Sequence, residues 1–483
     1  MTETFQNFIG GEWRPARDGE TAENINPADT RDVIGRFAAS GAADVDEAFA
    51  AAEGAFDAWA GTPAPKRGEF LFAAAELLSQ RAGEIGAEMT REEGKTLAEA
   101  RGEVARAAQI LRYFGGEAAR LTGETVPSER PGVLAFTFRR PLGPVALITP
   151  WNFPIAIPAW KLGPALASGN TVVLKPASPT PLTAVRLAQA LEDAGLPAGV
   201  FNLITGPASR SGRAILDDER LHAVSFTGSC ATGERLREHC ARRALRSQLE
   251  MGGKNPAIVL RDANIEEAVG IVVGAAFAST GQKCTATSRV IVEKPILGAF
   301  TEALVERTRR LRVGPGLEEG VDMGPCVDES QMKTVLDYIE VGKQEGARLL
   351  CGGRRLTDGE RRHGFFVEPA VFDRVTSDMV IARQEIFGPV LAVMEAADLD
   401  EALRLANDVS FGLSASLITR DLGAALRYIR RIEAGLIMVN LPSAGVEYQL
   451  PFGGLKASSS GQREQGSVAV DFFTDLCTVY MRA

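Results

Sequence analysis

Between residues 42 and 60 the apolar side chains Val45, Phe49, Ala52, Phe56 and Trp59 recur at alternating steps of four and three. That spacing lines one face of a helix and predicts an amphipathic α-helix. A second helical region is predicted over 66–90. A third, with Val104, Ala107, Leu111 and Phe114 on one face, runs to about 119. Beyond residue 144 the pattern changes. Short apolar runs at 144–149, 171–174, 200–205 and 223–226 alternate with helical stretches, one of which starts near 181 and stops at Ala194-Gly195-Leu196-Pro197. The alternation resumes after about 253, with strands predicted at 256–260, 288–293, 414–418 and 436–440. Such βαβα order predicts an α/β fold of mostly parallel sheets covered by helices. Residues 472–480 read as a strand without a helical companion, the kind of segment that pairs with a distant element or another subunit.

A chain of 483 residues is too long for one simple core, so two or three domains are expected. Its 45% hydrophobic and 24% charged residues are those of a soluble globular protein. The net charge of -9 argues against non-specific nucleic-acid binding, which needs a basic surface. The six cysteines are scattered, with no CxxC and no Cys/His cluster. Neither a disulfide framework nor a metal site is expected, and a reducing, cytoplasmic setting fits best. The first residues lack the apolar core of a leader, and no stretch reaches about 18 uninterrupted apolar residues, so neither secretion nor a membrane span is expected.

The candidate chemistry lies at the ends of the predicted strands. Cys284, in Gly281-Gln282-Lys283-Cys284-Thr285, is a thiol in a glycine-flanked turn and a candidate nucleophile, with Lys283 expected to lower its pKa. Glu250, in Leu249-Glu250-Met251-Gly252-Gly253, is a carboxylate in apolar, glycine-rich surroundings and a candidate general base. Pro150-Trp151-Asn152-Phe153-Pro154 follows a strand, and an amide there is placed to donate to an oxyanion, although a turn asparagine is the plainer reading. Phe226-Thr227-Gly228-Ser229 ends a strand and opens a helix, which offers backbone N–H groups to a phosphate; alone it reads equally as a tight turn. In Lys175-Pro176-Ala177-Ser178 the lysine is a candidate partner for ribose hydroxyls or simply a solvated strand end. Glu385, in Glu385-Ile386-Phe387-Gly388-Pro389, is a second candidate for ribose hydroxyls or a surface acid.

Taken in order, PWNFP, LKPAS, FTGSxxxG, LEMGGKNP, GQKCT, EIFGP and PFGG resemble the signatures of the aldehyde dehydrogenase superfamily over essentially the whole chain. The resemblance implies two parallel-sheet α/β domains plus a small β oligomerisation arm. A dinucleotide-binding domain would take 1–121 and 142–252, a catalytic domain 253–452, and the arm 122–141 with 468–483. It implies Cys284 as the nucleophile, Asn152 and the Cys284 N–H as the oxyanion site, and Glu250 as activator of the water that hydrolyses a thioester. Trp151, Asn152, Lys175, Pro176, Ala177, Ser178, Gly228, Ser229, Met251 and Glu385 would hold the dinucleotide. Ser178, which is no carboxylate, permits NADP alongside NAD. A homodimer or homotetramer follows as an expectation.

The segment 440–448 and the run 458–466 are similar to the branch of that family acting on α-ketoglutaric semialdehyde (2,5-dioxopentanoate). Succinate semialdehyde is the nearest competing substrate. Enzymes acting on it usually carry arginines where this chain has Trp160 and Ala278, which counts against it. Phe153 and Lys283 are the expected substrate contacts, the lysine toward a distal carboxylate. Two readings from other classes stand beside this one. A cysteine esterase or thioesterase would need a base such as histidine, and none of His222, His239 and His363 has a motif-like context. A non-catalytic protein on a retired enzyme fold would have no need of Cys284, Glu250 and Asn152 together.

Overall fold

The computed structural model describes residues 2–482. Two large sheets organise it. The first has eight strands in the spatial order Ser459–Ser460, Arg246–Glu250, Ala223–Thr227, Pro144–Ile148, Thr171–Lys175, Phe201–Leu203, Asn7–Ile9 and Glu12–Arg14. The middle five, from Arg246–Glu250 to Phe201–Leu203, are parallel. The apolar content of Pro144–Ile148 and Thr171–Lys175 matches burial on both faces. From Pro144–Ile148 the chain winds outward through Thr171–Lys175 to Phe201–Leu203, then returns to the other side at Ala223–Thr227. The order therefore reverses between Pro144–Ile148 and Ala223–Thr227. In open parallel sheets, ligands bind at the carboxyl ends of the strands flanking such a reversal.

The second sheet has seven strands, in the order Arg348–Cys351, Ala370–Asp373, Val390–Ala396, Thr287–Glu293, Asn255–Val259, Ser414–Ile418 and Leu436–Val439. All are parallel except the first. A separate antiparallel sheet of Thr125–Pro127, Val133–Pro141 and Thr474–Arg482 forms an arm, in which the last strand pairs with Val133–Pro141 along its whole length. The α/β class, the parallel sheets and the arm agree with the expectation from sequence.

Two parts differ. The helical region expected over 66–90 is two helices, Ala64–Gln80 and Ala82–Glu93, parted at Arg81 (φ -94°, ψ 7°) just before Gly83, a poor helix former. No strand was expected before residue 42, yet Thr4–Phe5, Asn7–Ile9, Glu12–Arg14, Thr21–Asn26 and Asp29–Ala38 are all strands. Gly10-Gly11, with φ of 63° and 83°, turns the Asn7–Ile9 hairpin, a signal that a search for apolar runs overlooks.

Among the described residues no helix is long and apolar enough to cross a membrane, and no group of three or more His, Cys, Asp or Glu is arranged to hold a metal ion.

Candidate active site

The carboxyl ends flanking the sheet's reversal carry the loop 150–154 and Thr227-Gly228-Ser229. They line a cavity of about 270 Å³ together with Met251, Cys284 and Glu385. Ser229 precedes the helix Cys230–Arg242 but does not cap it; its hydroxyl turns instead to Thr232 Oγ1 at 3.1 Å. The first-turn N–H groups thus keep the partial positive charge that attracts an anion. The buried Thr227 hydroxyl has no protein partner either. Glu385 accepts from the Gly253 N–H at 2.9 Å, and burial raises its pKa to about 7. The carboxylate fits only because Gly252 has no side chain, since a Cβ there would lie 2.1 Å from Glu385 Oε2.

A second cavity, also about 270 Å³, is likewise lined by Cys284. Phe153, Ile157, Trp160, Val446 and Phe452 give it apolar walls, and Lys283 and Arg106 face it. Cys284 is the one residue lining both cavities among the described residues.

The turn that presents Cys284 is strained. Ser279, Thr280 and Gly281 are consecutive left-handed residues with φ of 51°, 61° and 67°, a conformation that a β-branched threonine adopts only under constraint. The constraints are visible. Glu99 Oε1 accepts from Ser279 N at 2.6 Å and from its hydroxyl at 3.1 Å, and Thr280 Oγ1 donates to the Gly324 carbonyl at 3.0 Å. A Cβ at Gly281 would sit 2.4 Å from the Gly388 carbonyl, so only glycine fits. On the far side, Asn255 Nδ2 donates to the Cys284 carbonyl at 2.7 Å.

Asn152 is buried and donates through Nδ2 to the Gln282 carbonyl at 2.9 Å, which leaves its second amide hydrogen free. Its loop is fixed from below. Lys95 Nζ donates to the Asn152 carbonyl and to Glu103 Oε2, each at 2.6 Å, and lies 4.5 Å from the Phe153 ring centre. Glu103 Oε1 in turn accepts from the N–H groups of Ile155 and Ala156 at 3.0 and 3.1 Å, where the helix Ala156–Ser168 begins.

Glu250 ends the strand Arg246–Glu250 and is 2% exposed, lining neither cavity. Burial raises its pKa well above the usual carboxylate range and the adjacent Glu464 adds to this, while a hydrogen bond from Ser459 Oγ opposes both. Its Oε1 has no partner and is a spare acceptor. Glu464 is ion-paired with Lys161, whose Nζ also donates to Ser225 Oγ at 2.8 Å.

The expectation that Lys283 lowers the Cys284 pKa is not met. Burial pushes the thiol far up, and Glu385, Glu250 and Glu464 push it further. Lys283 faces the apolar-walled cavity instead, where burial lowers its own pKa, against Glu99.

Of the residues singled out in the sequence, Trp151, Asn152, Gly228, Ser229, Met251, Glu385 and Cys284 line the first cavity, and Phe153, Lys283 and Cys284 the second. Lys175, Pro176, Ala177 and Ser178 line neither and continue the same sheet edge, one strand over. Lys175 is buried with its Nζ on the Pro176 carbonyl at 2.7 Å, and desolvation lowers its pKa to about 8. Ser178 is exposed, its hydroxyl donating to the Gly206 carbonyl at 3.2 Å. Lys95, Glu103, Glu464, Ser459 and Asn255 were not foreseen, because each takes its meaning from a partner remote in sequence.

A family model described as the aldehyde dehydrogenase family matches residues 13–479. The chain belongs to this family. It is 50% identical over 479 residues to the alpha-ketoglutaric semialdehyde dehydrogenase of Bacillus subtilis (strain 168), covering 99% of this chain and 98% of that one. It is 48% identical over 465 residues to the 2,5-dioxopentanoate dehydrogenase of Saccharolobus solfataricus, covering 96% of each. Among solved structures, an NAD-dependent aldehyde dehydrogenase from Sinorhizobium meliloti superposes with a TM-score of 0.97 at 37% identity, covering 100% of this chain and 95% of that one. A betaine aldehyde dehydrogenase from Staphylococcus aureus, in complex with NAD+, gives 0.96 at 32%, covering 99% and 94%.

Proposed function

We propose that this protein oxidises α-ketoglutaric semialdehyde to α-ketoglutarate with NAD or NADP as acceptor. The observation that carries the reading is Cys284 standing as the shared wall of two cavities, one at a sheet's reversal point and one apolar with cations facing it. Two relatives near 50% identity over almost the whole chain carry names for this reaction, which supports the same substrate.

The first cavity suits the nicotinamide end of a dinucleotide. The uncapped helix after Ser229 and the unpartnered Thr227 hydroxyl offer donors to phosphate, and Glu385 and Lys175 offer partners to ribose hydroxyls. Trp151, Gly228 and Met251 complete its walls. Pro176, Ala177 and Ser178 extend the same edge, and Ser178 accommodates either cofactor. When bound there, the nicotinamide supplies a hydride acceptor.

In this reading Cys284 Sγ attacks the aldehyde carbon, the C–S bond forming as the C=O π bond opens, and the thiol proton passes to solvent water. The free Asn152 amide hydrogen and the Cys284 N–H hold the resulting alkoxide. Loss of hydride leaves an acyl group on sulfur as a thioester. Glu250 then takes a proton from water, which attacks the acyl carbon; the C–S bond breaks and the acid leaves. Phe153 packs against the carbon chain of the substrate and Lys283 faces its distal carboxylate.

The test is absorbance at 340 nm with a panel of semialdehydes. Cys284→Ala is expected to abolish reduction of the dinucleotide. Glu250→Gln is expected to give one burst of reduced dinucleotide per active site, then stall with acyl mass retained on Cys284. Steady turnover by Cys284→Ala would overturn the mechanism. Esterase activity with no dinucleotide-dependent oxidation would favour the hydrolase reading.

We also infer a homodimer or a dimer of dimers. Thr474–Arg482 and Leu436–Val439 are edge strands, and Leu476, Tyr480 and Leu441 are 61%, 64% and 60% exposed beside them. The six cysteines are free thiols, which fits a reducing compartment such as the cytoplasm.

A further inference from the structure

The apolar-walled cavity has a charge balance that the residues assigned so far leave unexplained. Five ionisable side chains other than Cys284 face it: Lys95, Arg106, Lys283, Glu99 and Glu103. Lys95 and Glu103 are hydrogen-bonded to each other at 2.6 Å and cancel. Glu99 is engaged on both oxygens, Oε1 by Ser279 and Oε2 by Thr96. Two cations remain, Lys283 beside the nucleophile and Arg106 on the helix Leu97–Ala118. Neither has a hydrogen-bonded carboxylate among the described residues, and the cavity carries one net positive charge in a chain of net charge -9.

Arg106 is held in place without being neutralised. Its guanidinium lies 5.5 Å from the ring centre of Tyr448, a cation–π contact. The Tyr448 ring itself rests edge-on against Tyr113 at 5.6 Å. The guanidinium makes no hydrogen bond or ion pair among the described residues, so its N–H groups stay available to grip a carboxylate with two parallel bonds. Lys283, a point charge on a flexible stem, supplies attraction without that geometry.

We propose that Arg106 is the specificity-determining residue for the distal carboxylate of the substrate, with Lys283 as its electrostatic partner and Tyr448 as the residue that positions it. The proposal rests on the semialdehyde reading above. Trp160 walls the cavity without charge, which leaves the anion to be met from the helix Leu97–Ala118 instead.

The experiment compares kcat and KM for α-ketoglutaric semialdehyde and for pentanal, an uncharged aldehyde of equal chain length, in the wild type, R106Q and R106K. The ratio of the two kcat/KM values is expected to fall about 10- to 100-fold in R106Q, through KM for the semialdehyde. R106K is expected to recover part of it. Glutarate, which has the carboxylates but no aldehyde, is expected to compete with pentanal in the wild type and about tenfold less well in R106Q. A ratio in R106Q within twofold of wild type, or a fall carried by kcat alone, would overturn the proposal, as would an R106K ratio no better than that of R106Q. A wild-type enzyme that oxidises pentanal but not the semialdehyde removes the substrate reading first, and this proposal with it.

Discussion

At the scale of single residues, Glu250 shows how surroundings suit a group to its proposed task. Burial and Glu464 favour its neutral form, and the Ser459 hydroxyl favours its charged form. A base with a raised pKa is protonated, and idle, at low pH; turnover limited by thioester hydrolysis should therefore rise with pH as Glu250 ionises. Removing the Ser459 hydroxyl removes a donor to the charged form. Ser459→Ala is expected to move the acid limb of the kcat–pH profile upward. A limb that stays put or moves down would contradict this. Cys284 obeys the same logic with the opposite consequence. Burial and the neighbouring carboxylates disfavour its thiolate, so its reactivity rests on proton removal as the aldehyde arrives.

At the scale of elements, the oxyanion loop is tied to the helix Leu97–Ala118 through Lys95 and Glu103, both about fully buried. Replacing Lys95 by methionine would leave Glu103 buried without its counter-charge, at a cost of about 3–5 kcal/mol. Lys95→Met is expected to lower the melting temperature and to slow acylation, because the Asn152 carbonyl loses its anchor. The double variant Lys95→Met, Glu103→Gln should melt above the single one, since the uncompensated charge is gone; calorimetry decides. This is also where the sequence falls silent. The strands that lead to Asn152, Lys175 and Gly228 are legible because apolar runs end at glycine, proline or lysine. The pairing of Lys95 with Glu103 is not, because it gains its purpose from residues 152–156 across the fold. The left-handed turn at Ser279 and Thr280 is illegible for a related reason: neither residue prefers it, and Glu99 and Gly324 impose it.

At the scale of the whole molecule, both large sheets stop at an edge with unpaired backbone, and the arm sheet offers Thr474–Arg482 with its outer edge open. Such edges are covered in stable proteins. Light scattering is expected to give the wild type an even multiple of 51.5 kDa. Leu476→Glu combined with Met481→Glu, which puts charge on two exposed apolar positions of that strand, should shift the population toward monomer. An unchanged mass would count against the arm as the interface. Most strands of the parallel sheets were readable from alternation, but Arg246–Glu250, Ala370–Asp373 and Val390–Ala396 were not. The N-terminal strands, most of them short or polar, were not, because they lean on neighbours such as Phe201–Leu203 rather than on a run of their own apolar residues.

The position of Cys284 between two cavities that share no other lining residue has a kinetic corollary. Two ligands that reach a thiol from separate cavities do not exclude one another sterically. A dinucleotide analogue and a carboxylate analogue of the aldehyde should thus occupy the enzyme together, each acting as a non-competitive inhibitor against the other's counterpart. Alkylation of the thiol by iodoacetamide should be only partly blocked by either analogue alone and fully blocked by both, so that the sulfur has two doors and each ligand closes one.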